Sequence, residues 1–338
     1  MRYVLRAGPL SVTVRRRPVV TALALAVVLA VTVVAALSVG EVVVPPGEVL
    51  RALAGADGPS RLLVVDLRLP RTVLAVVAGC AFGIAGALIQ GVSRNPLASP
   101  DVIGVTQGAG LAATVALTSG AALAVVAPAA AAGGLLAAAL VFALGARHGL
   151  SARRFVLAGV AVAFALRALI EVAIVAADAI DGQRAQIWLI GSLAGRGYRE
   201  AGWIAVVLLL VSPVLLWAGR ALDTSALDDD TGRGLGVRPT ARRLGLAATG
   251  VLAAAAVTAQ VGAVDFVALV APQVAQRLVR AGRPPLVNSA LVGAVLVVAA
   301  DLAGRRLVSP TQLPAGVLTA AVGGLYLLVL LVRRRRTP

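Results

Sequence analysis

Apolar residues run along this chain in blocks of about twenty, separated by short polar turns. Within stretches such as 21–39, 74–89, 156–177, 203–216 and 317–332 they cover the whole helical circumference rather than a single stripe. Such segments have no polar face for water and belong in a bilayer. Taking each block as one crossing predicts helices near 18–39, 66–91, 96–117, 121–145, 153–177, 201–219, 241–262, 266–281, 286–305 and 314–332. An even number of crossings places both termini on the same side.

Two of these blocks are broken. Pro96, Pro100, Gly104, Gly108 and Gly110 interrupt the third, and Pro272 interrupts the eighth. Helix breakers at membrane depth survive only where protein or water re-satisfies the freed backbone groups, so both segments are expected inside the bundle or along its cavity. Interrupted segments at matching places in two halves also mark an inverted repeat. Here 66–177 pairs with 241–332: Gln90 precedes Asn95, Pro96 and Pro100 in one half, and Gln260 precedes Gly262, Phe266 and Pro272 in the other.

Charge orients the bundle. With a cytoplasmic N-terminus, the inner segments hold the arginines of 15–17, 147–154, 233–243, 277–283 and 333–336 together with Arg94 and Arg220. They outnumber the outer arginines by roughly two to one, the sense of the positive-inside bias. Arg15, Arg16 and Arg17 before an apolar run resemble the start of a secretory signal, but the run from 18 to 39 exceeds the ~7–15 residues of a signal core, so a retained first helix is expected.

Composition narrows the function. The chain is 59% hydrophobic and 14% charged, with a mean hydropathy of +0.95, which a soluble domain does not reach. Its net charge of +16 is not a nucleic-acid footprint, because the arginines sit at the ends of apolar blocks rather than along one face. No lysine is present, so a GxxxxGK[ST] phosphate loop is impossible and any ATP must be hydrolysed elsewhere. Cys80 lies in an apolar run, and His148 stands between arginines with no Cys/His cluster, so no metal site is expected. A nucleophile–base constellation is also missing, which argues against an intramembrane enzyme.

Three ordered blocks carry a family resemblance. The first joins Leu67-Arg68-Leu69-Pro70-Arg71 to residues 85–91, then Arg94-Asn95-Pro96-Leu97-Ala98-Ser99-Pro100 and residues 104–109. The second is 228–237, ending Arg233-Gly234-Leu235-Gly236-Val237; the third runs from Gly262 through 266–272 and Asp301 to 313–319. Together they resemble the FecCD/BtuC-type permeases that import iron siderophores, haem and cobalamin. The resemblance implies an all-α polytopic protein of a single permease domain, with the BtuC-like type II ABC importer fold and its inverted repeat. It departs from the family at Pro272-Gln273, where Pro-His is usual, at Gly324-Leu325-Tyr326, where Gly-Pro-Phe is usual, at Asp265 for a small residue and at Gln312 for an acidic one.

The resemblance implies the permease of an ABC importer in a bacterial cytoplasmic membrane, carrying an iron siderophore or related chelate. Cobalamin or haem is the alternative cargo, and an ion-coupled secondary transporter the alternative class. Implied partners are a second copy or paralogue, two ATP-binding subunits, an extracytoplasmic binding lipoprotein and membrane lipid, with ATP and Mg in the partner ATPase and no cofactor in this chain. Nucleic acid is not among them.

Residues take roles accordingly. Arg68, Arg71 and Arg305 match the arginines that pair with acidic residues of the binding protein; their alternative is to anchor helix ends at headgroups. The stretch 222–238, with Asp229, Asp230, Thr231, Arg233, Gly234, Leu235 and Gly236, matches the helix that couples to the ATPase, and otherwise reads as a solvated loop. Arg167 and Glu171, four apart on one helical face, are expected to face the bundle interior, as path lining or as a structural pair. Gln90, Asn95 and Gln260 either line the path or bond between helices.

Overall fold

The computed structural model describes residues 2–7, 10–146, 152–225, 234, 239–308 and 311–334. An antiparallel hairpin of β1 (Arg2–Ala7) and β2 (Leu10–Arg15) leads into α1 (Arg16–Ser38). It is an addition to the helical expectation, and its signal is the Tyr3-Val4-Leu5 run and the β-branched run Val12-Thr13-Val14 on either side of Gly8-Pro9. Every later described element is helical: α2 (Pro46–Leu53), α3 (Pro59–Ser93), α4 (Val105–Thr118), α5 (Leu123–Ala146) and α6 (Ala152–Ala176). There follow α7 (Ala179–Ile190), α8 (Tyr198–Ser225), α9 (Pro239–Val261), α10 (Val267–Val279), α11 (Leu286–Arg306) and α12 (Ala315–Arg334).

Seven of the described helices are long and apolar enough to cross a bilayer, while α4, α10 and the apolar part of α12 are shorter. At 1.5 Å per residue, the 14 residues of α4 and 13 of α10 rise only ~20 Å against a ~30 Å hydrocarbon core. α4 loses its length at its start. Residues 95–104 run as turns before Gly104 (φ 85°) opens α4, and Phe266 (φ 67°) opens α10. A left-handed conformation is natural for glycine and costs a phenylalanine of order 1–3 kcal/mol.

The helices sort into an inner and an outer set. In the apolar stretch of α3, 72% of residues are buried, and in that of α9 67%, against 6% in α1 and 17% in α6. Small residues let the inner helices touch. Gly79 and Gly83 of α3, one turn apart, lie against the Gly293 and Ser289 carbonyls of α11, where a Cβ has no room.

Exchanging α3 with α9, α4 with α10, α5 with α11 and α6 with α12 preserves the packing. The pairs α3·α11, α3·α10, α4·α5, α4·α6 and α5·α6 become α9·α5, α9·α4, α10·α11, α10·α12 and α11·α12, all of which are in contact. The axis pair α3·α9 runs antiparallel, since Leu88 clusters with Leu246 while Leu74 clusters with Val257 and Val261. The two halves are therefore related by inversion, the arrangement anticipated from the paired interruptions.

Candidate functional site

At the end of the bundle where α1 finishes and α11 finishes, the basic residues form a knot. Asp301, 2% exposed in α11, accepts hydrogen bonds from Nε (3.0 Å) and an Nη (2.8 Å) of Arg71, and pairs with Arg305 Nε at 3.2 Å. Arg71 also donates to Gln312 at 3.2 Å. Arg68 is buried and donates to the carbonyls of Leu37, Ser38 and Val42, while Arg305 donates to Ala36 and Arg306 to Gly40. The last turn of α1 has no basic residue of its own, so arginines from α3 and α11 supply the positive charge that its open carbonyls favour.

The structure brings Arg68, Arg71 and Arg305 together at this one end of the bundle. All three hold intramolecular partners, and Arg71 alone stands at the rim, with 16% of its side chain exposed. Of the segment 222–238, residues 226–233 and 235–238, including Asp229, Asp230, Thr231, Arg233, Leu235 and Gly236, lie outside the described residues; Gly234 is described as helical.

A second polar constellation lies where the two short helices begin. A cavity of about 490 Å3 is lined by Leu97, Ser99, Asp101 and Val102 from the turns before α4, by Gln107 from its first turns, by Asp265, Phe266 and Leu269 around the start of α10, and by Leu327 and Leu330 of α12. Asp101 and Asp265 each precede a helix N-terminus, where a carboxylate meets the positive end of the backbone dipole. Asp101 accepts a 2.7 Å hydrogen bond from the Thr106 hydroxyl. Inverted halves bring two such starts face to face, so the paired carboxylates follow from the topology.

The sequence candidates divide around this cavity. Gln90 donates Nε2 to the Leu269 carbonyl at 2.9 Å, tying α3 to α10, and its buried Oε1 has no partner among the described residues. Asn95 accepts from the Leu97 amide at 2.9 Å and shapes the turn. Arg167 and Glu171 pair at 2.8 Å, but their side chains are 61% and 54% exposed. In the single chain they lie on the outer face of α6 with Phe164 and Val175, not in its interior. Gln260 belongs elsewhere, in a separate crevice between α5, α8 and α9. Asp101 was missed because a carboxylate before a glycine-capped helix reads as ordinary capping; Asp265 was visible only as a departure from the family pattern.

Two other departures prove to be neighbours. Gln273 donates to the Pro96 carbonyl at 2.6 Å and accepts from the Tyr326 hydroxyl at 3.3 Å, and Arg277 stacks 5.3 Å above the Tyr326 ring. The side chains that replace the usual Pro-His and Gly-Pro-Phe thus compensate each other across α10 and α12.

Inverted helical halves, broken helices and a cavity between their starts that carries two carboxylates describe a multi-span membrane permease. The chain belongs to the FecCD transport family, whose sequence model matches residues 28–333. It is 42% identical over 318 residues to the achromobactin transport system permease protein CbrC of Dickeya dadantii (strain 3937), covering 93% of this chain and 91% of that one. It is 36% identical to the Fe(3+)-citrate import system permease protein YfmE of Bacillus subtilis (strain 168), covering 94% and 96%. Its fold superposes on a solved metal-chelate type ABC transporter in an inward-facing conformation with a TM-score of 0.80 at 27% identity, covering 93% of this chain and 99% of that one.

Proposed function

We propose that this chain is the permease subunit of an ABC importer that carries a ferric siderophore or related iron chelate inward across a bacterial cytoplasmic membrane. The observation that carries the reading is the family match across both inverted halves, with relatives named for achromobactin and ferric citrate. Energy comes from ATP hydrolysed in two separate subunits that meet the 222–238 segment, both termini are cytoplasmic, and no cofactor resides in this chain. The extracytoplasmic binding protein sits on the face rimmed by Arg71, while Arg68 and Arg305 hold that face in shape from beneath.

The Arg167–Glu171 face of α6 supports a permease dimer. Charged side chains against lipid cost ~2.5–3.5 kcal/mol each, and a second copy or paralogue removes that cost by enclosing them in an aqueous path. The Asp101–Asp265 cavity is the contribution of each chain to that path. Uptake of radio-iron chelates into proteoliposomes holding the permease, its ATPase and its binding protein tests the reading. ATP-dependent uptake is the expected result; uptake driven by an ion gradient without ATP would overturn it.

A further inference from the structure

On the Arg71 side of the bundle, a crevice of about 650 Å3 opens between α5 and α8 over a floor formed by α9. Gly197, in the turn before α8, touches Pro70 of α3, which fixes the mouth at the level of the arginine knot. The interior is apolar and carved by small residues: Ala127, Ala131, Ala255, Ala256 and Ala259, with Pro128 breaking the α5 hydrogen-bond ladder beside them. Its sides are exposed apolar surface, with Leu123 80%, Trp203 59% and Leu135 38% exposed, so it opens laterally onto the bilayer rather than into the bundle.

Charge and polarity gather only at the mouth. Arg196, Arg199, Glu200 and Gln260 line it, with Trp188 and Trp203 at the depth where interfacial aromatics sit. Glu200 accepts the Gly197 amide at 2.8 Å and Arg196 donates one Nη to the Ser192 carbonyl at 2.7 Å. Burial lowers the Arg196 guanidinium from its ordinary value and Glu200 offsets this, leaving it charged. Arg199 has no hydrogen-bond or ion-pair partner among the described residues.

Dimensions select the occupant. From Leu123 to Leu135 the crevice follows α5 for ~18 Å, and from Leu252 to Gln260 it follows α9 for ~12 Å. One leaflet of hydrocarbon is ~15 Å deep. We propose that the crevice is a specific site for an anionic phospholipid of the leaflet on the Arg71 side, with one acyl chain along α9 and the phosphate on Arg199 and Arg196. Guanidinium forks match phosphate oxygens bidentately, and a zwitterionic headgroup places a cation beside the same arginines. The site does not depend on which chelate is carried.

Native mass spectrometry of the full chain released from nanodiscs of mixed phosphatidylglycerol and phosphatidylcholine tests this site. One phosphatidylglycerol retained in preference to phosphatidylcholine is expected. Arg199→Gln should cut that preference about fivefold, and Arg196→Gln with Arg199→Gln more. Ala256→Phe, which fills the floor, should abolish retention of either lipid. Because Arg199 is exposed, its variant folds even where the floor variant does not. Equal retention of both lipids, or retention unaffected by Arg199→Gln, overturns the proposal.

Discussion

The Arg71–Asp301–Arg305 knot and the Asp101–Asp265 cavity use the same charged residue types to opposite ends. In the knot, one buried carboxylate sits between two guanidinium groups, and the surrounding arginines close the open end of α1. In the cavity, two carboxylates share a space about 490 Å3 in size, half-buried, and Asp101 accepts a hydrogen bond from Thr106. A fully paired charge network fixes a shape. An under-paired one beside empty space is available to a ligand.

The largest effect expected from breaking this contrast is in the knot. Asp301→Ala leaves two guanidinium groups without their buried counter-charge, and such removals cost ~3–5 kcal/mol. Thermal unfolding of the purified protein in detergent should show the loss directly. Asp301→Asn, which keeps one acceptor, should fall between the variant and the parent. Unchanged stability in both would mean that the knot is ornamental and that Arg71 and Arg305 are free to engage a partner.

The cavity should respond in the other way. Asp265→Asn leaves stability within ~0.5 kcal/mol, because the carboxylate has little to lose inside the chain, yet removes a charged acceptor from the proposed path. One hydrogen bond to a charged group is worth ~1.5 kcal/mol, so uptake should fall about tenfold in reconstituted transporter. A loss of stability with proportional loss of uptake would instead assign Asp265 to architecture, like Asp301.

Between these two lies the Gln273–Tyr326 pair. Tyr326→Phe deletes a hydrogen bond worth ~1 kcal/mol and keeps the ring under Arg277. Combined with Gln273→His in a double-mutant cycle, it should show a coupling of ~0.5 kcal/mol or more, because the two side chains touch. Additive costs would separate the two departures that the structure places together.

How far the sequence reached follows the same division. Apolar blocks located the long helices, because bilayer thickness imposes one length on each, but α3 begins at Pro59 rather than at 66 and α8 runs to Ser225 rather than to 219. The two shortened helices were legible as interruptions, but not the point where α4 resumes at Val105, which depends on Gly104 adopting φ 85° against its neighbours. α7 was not read at all: Asp178 and Asp181 mark its start, yet at 12 residues it is too short and too polar for a span. Arg71, Asp301 and Arg305 were readable as residue types, whereas the Arg71–Asp301 pairing joins positions 230 residues apart. The Asp101–Asp265 encounter likewise exists only after the two halves invert.

The smallest effect expected is at Arg167 and Glu171, and it decides what covers the outer face of α6. An exposed i,i+4 pair in water contributes ~0.3–0.5 kcal/mol, so Glu171→Gln should barely move the stability of a permease whose α6 faces a hydrated dimer path. Against lipid, the same substitution strands Arg167 in hydrocarbon at a cost of ~2.5–3.5 kcal/mol. Unfolding measured in nanodiscs separates the two by size alone. A change under ~1 kcal/mol places the charged face in the path beside Asp265, and a change above ~2 kcal/mol puts it on the bilayer and removes the argument for a dimer through α6.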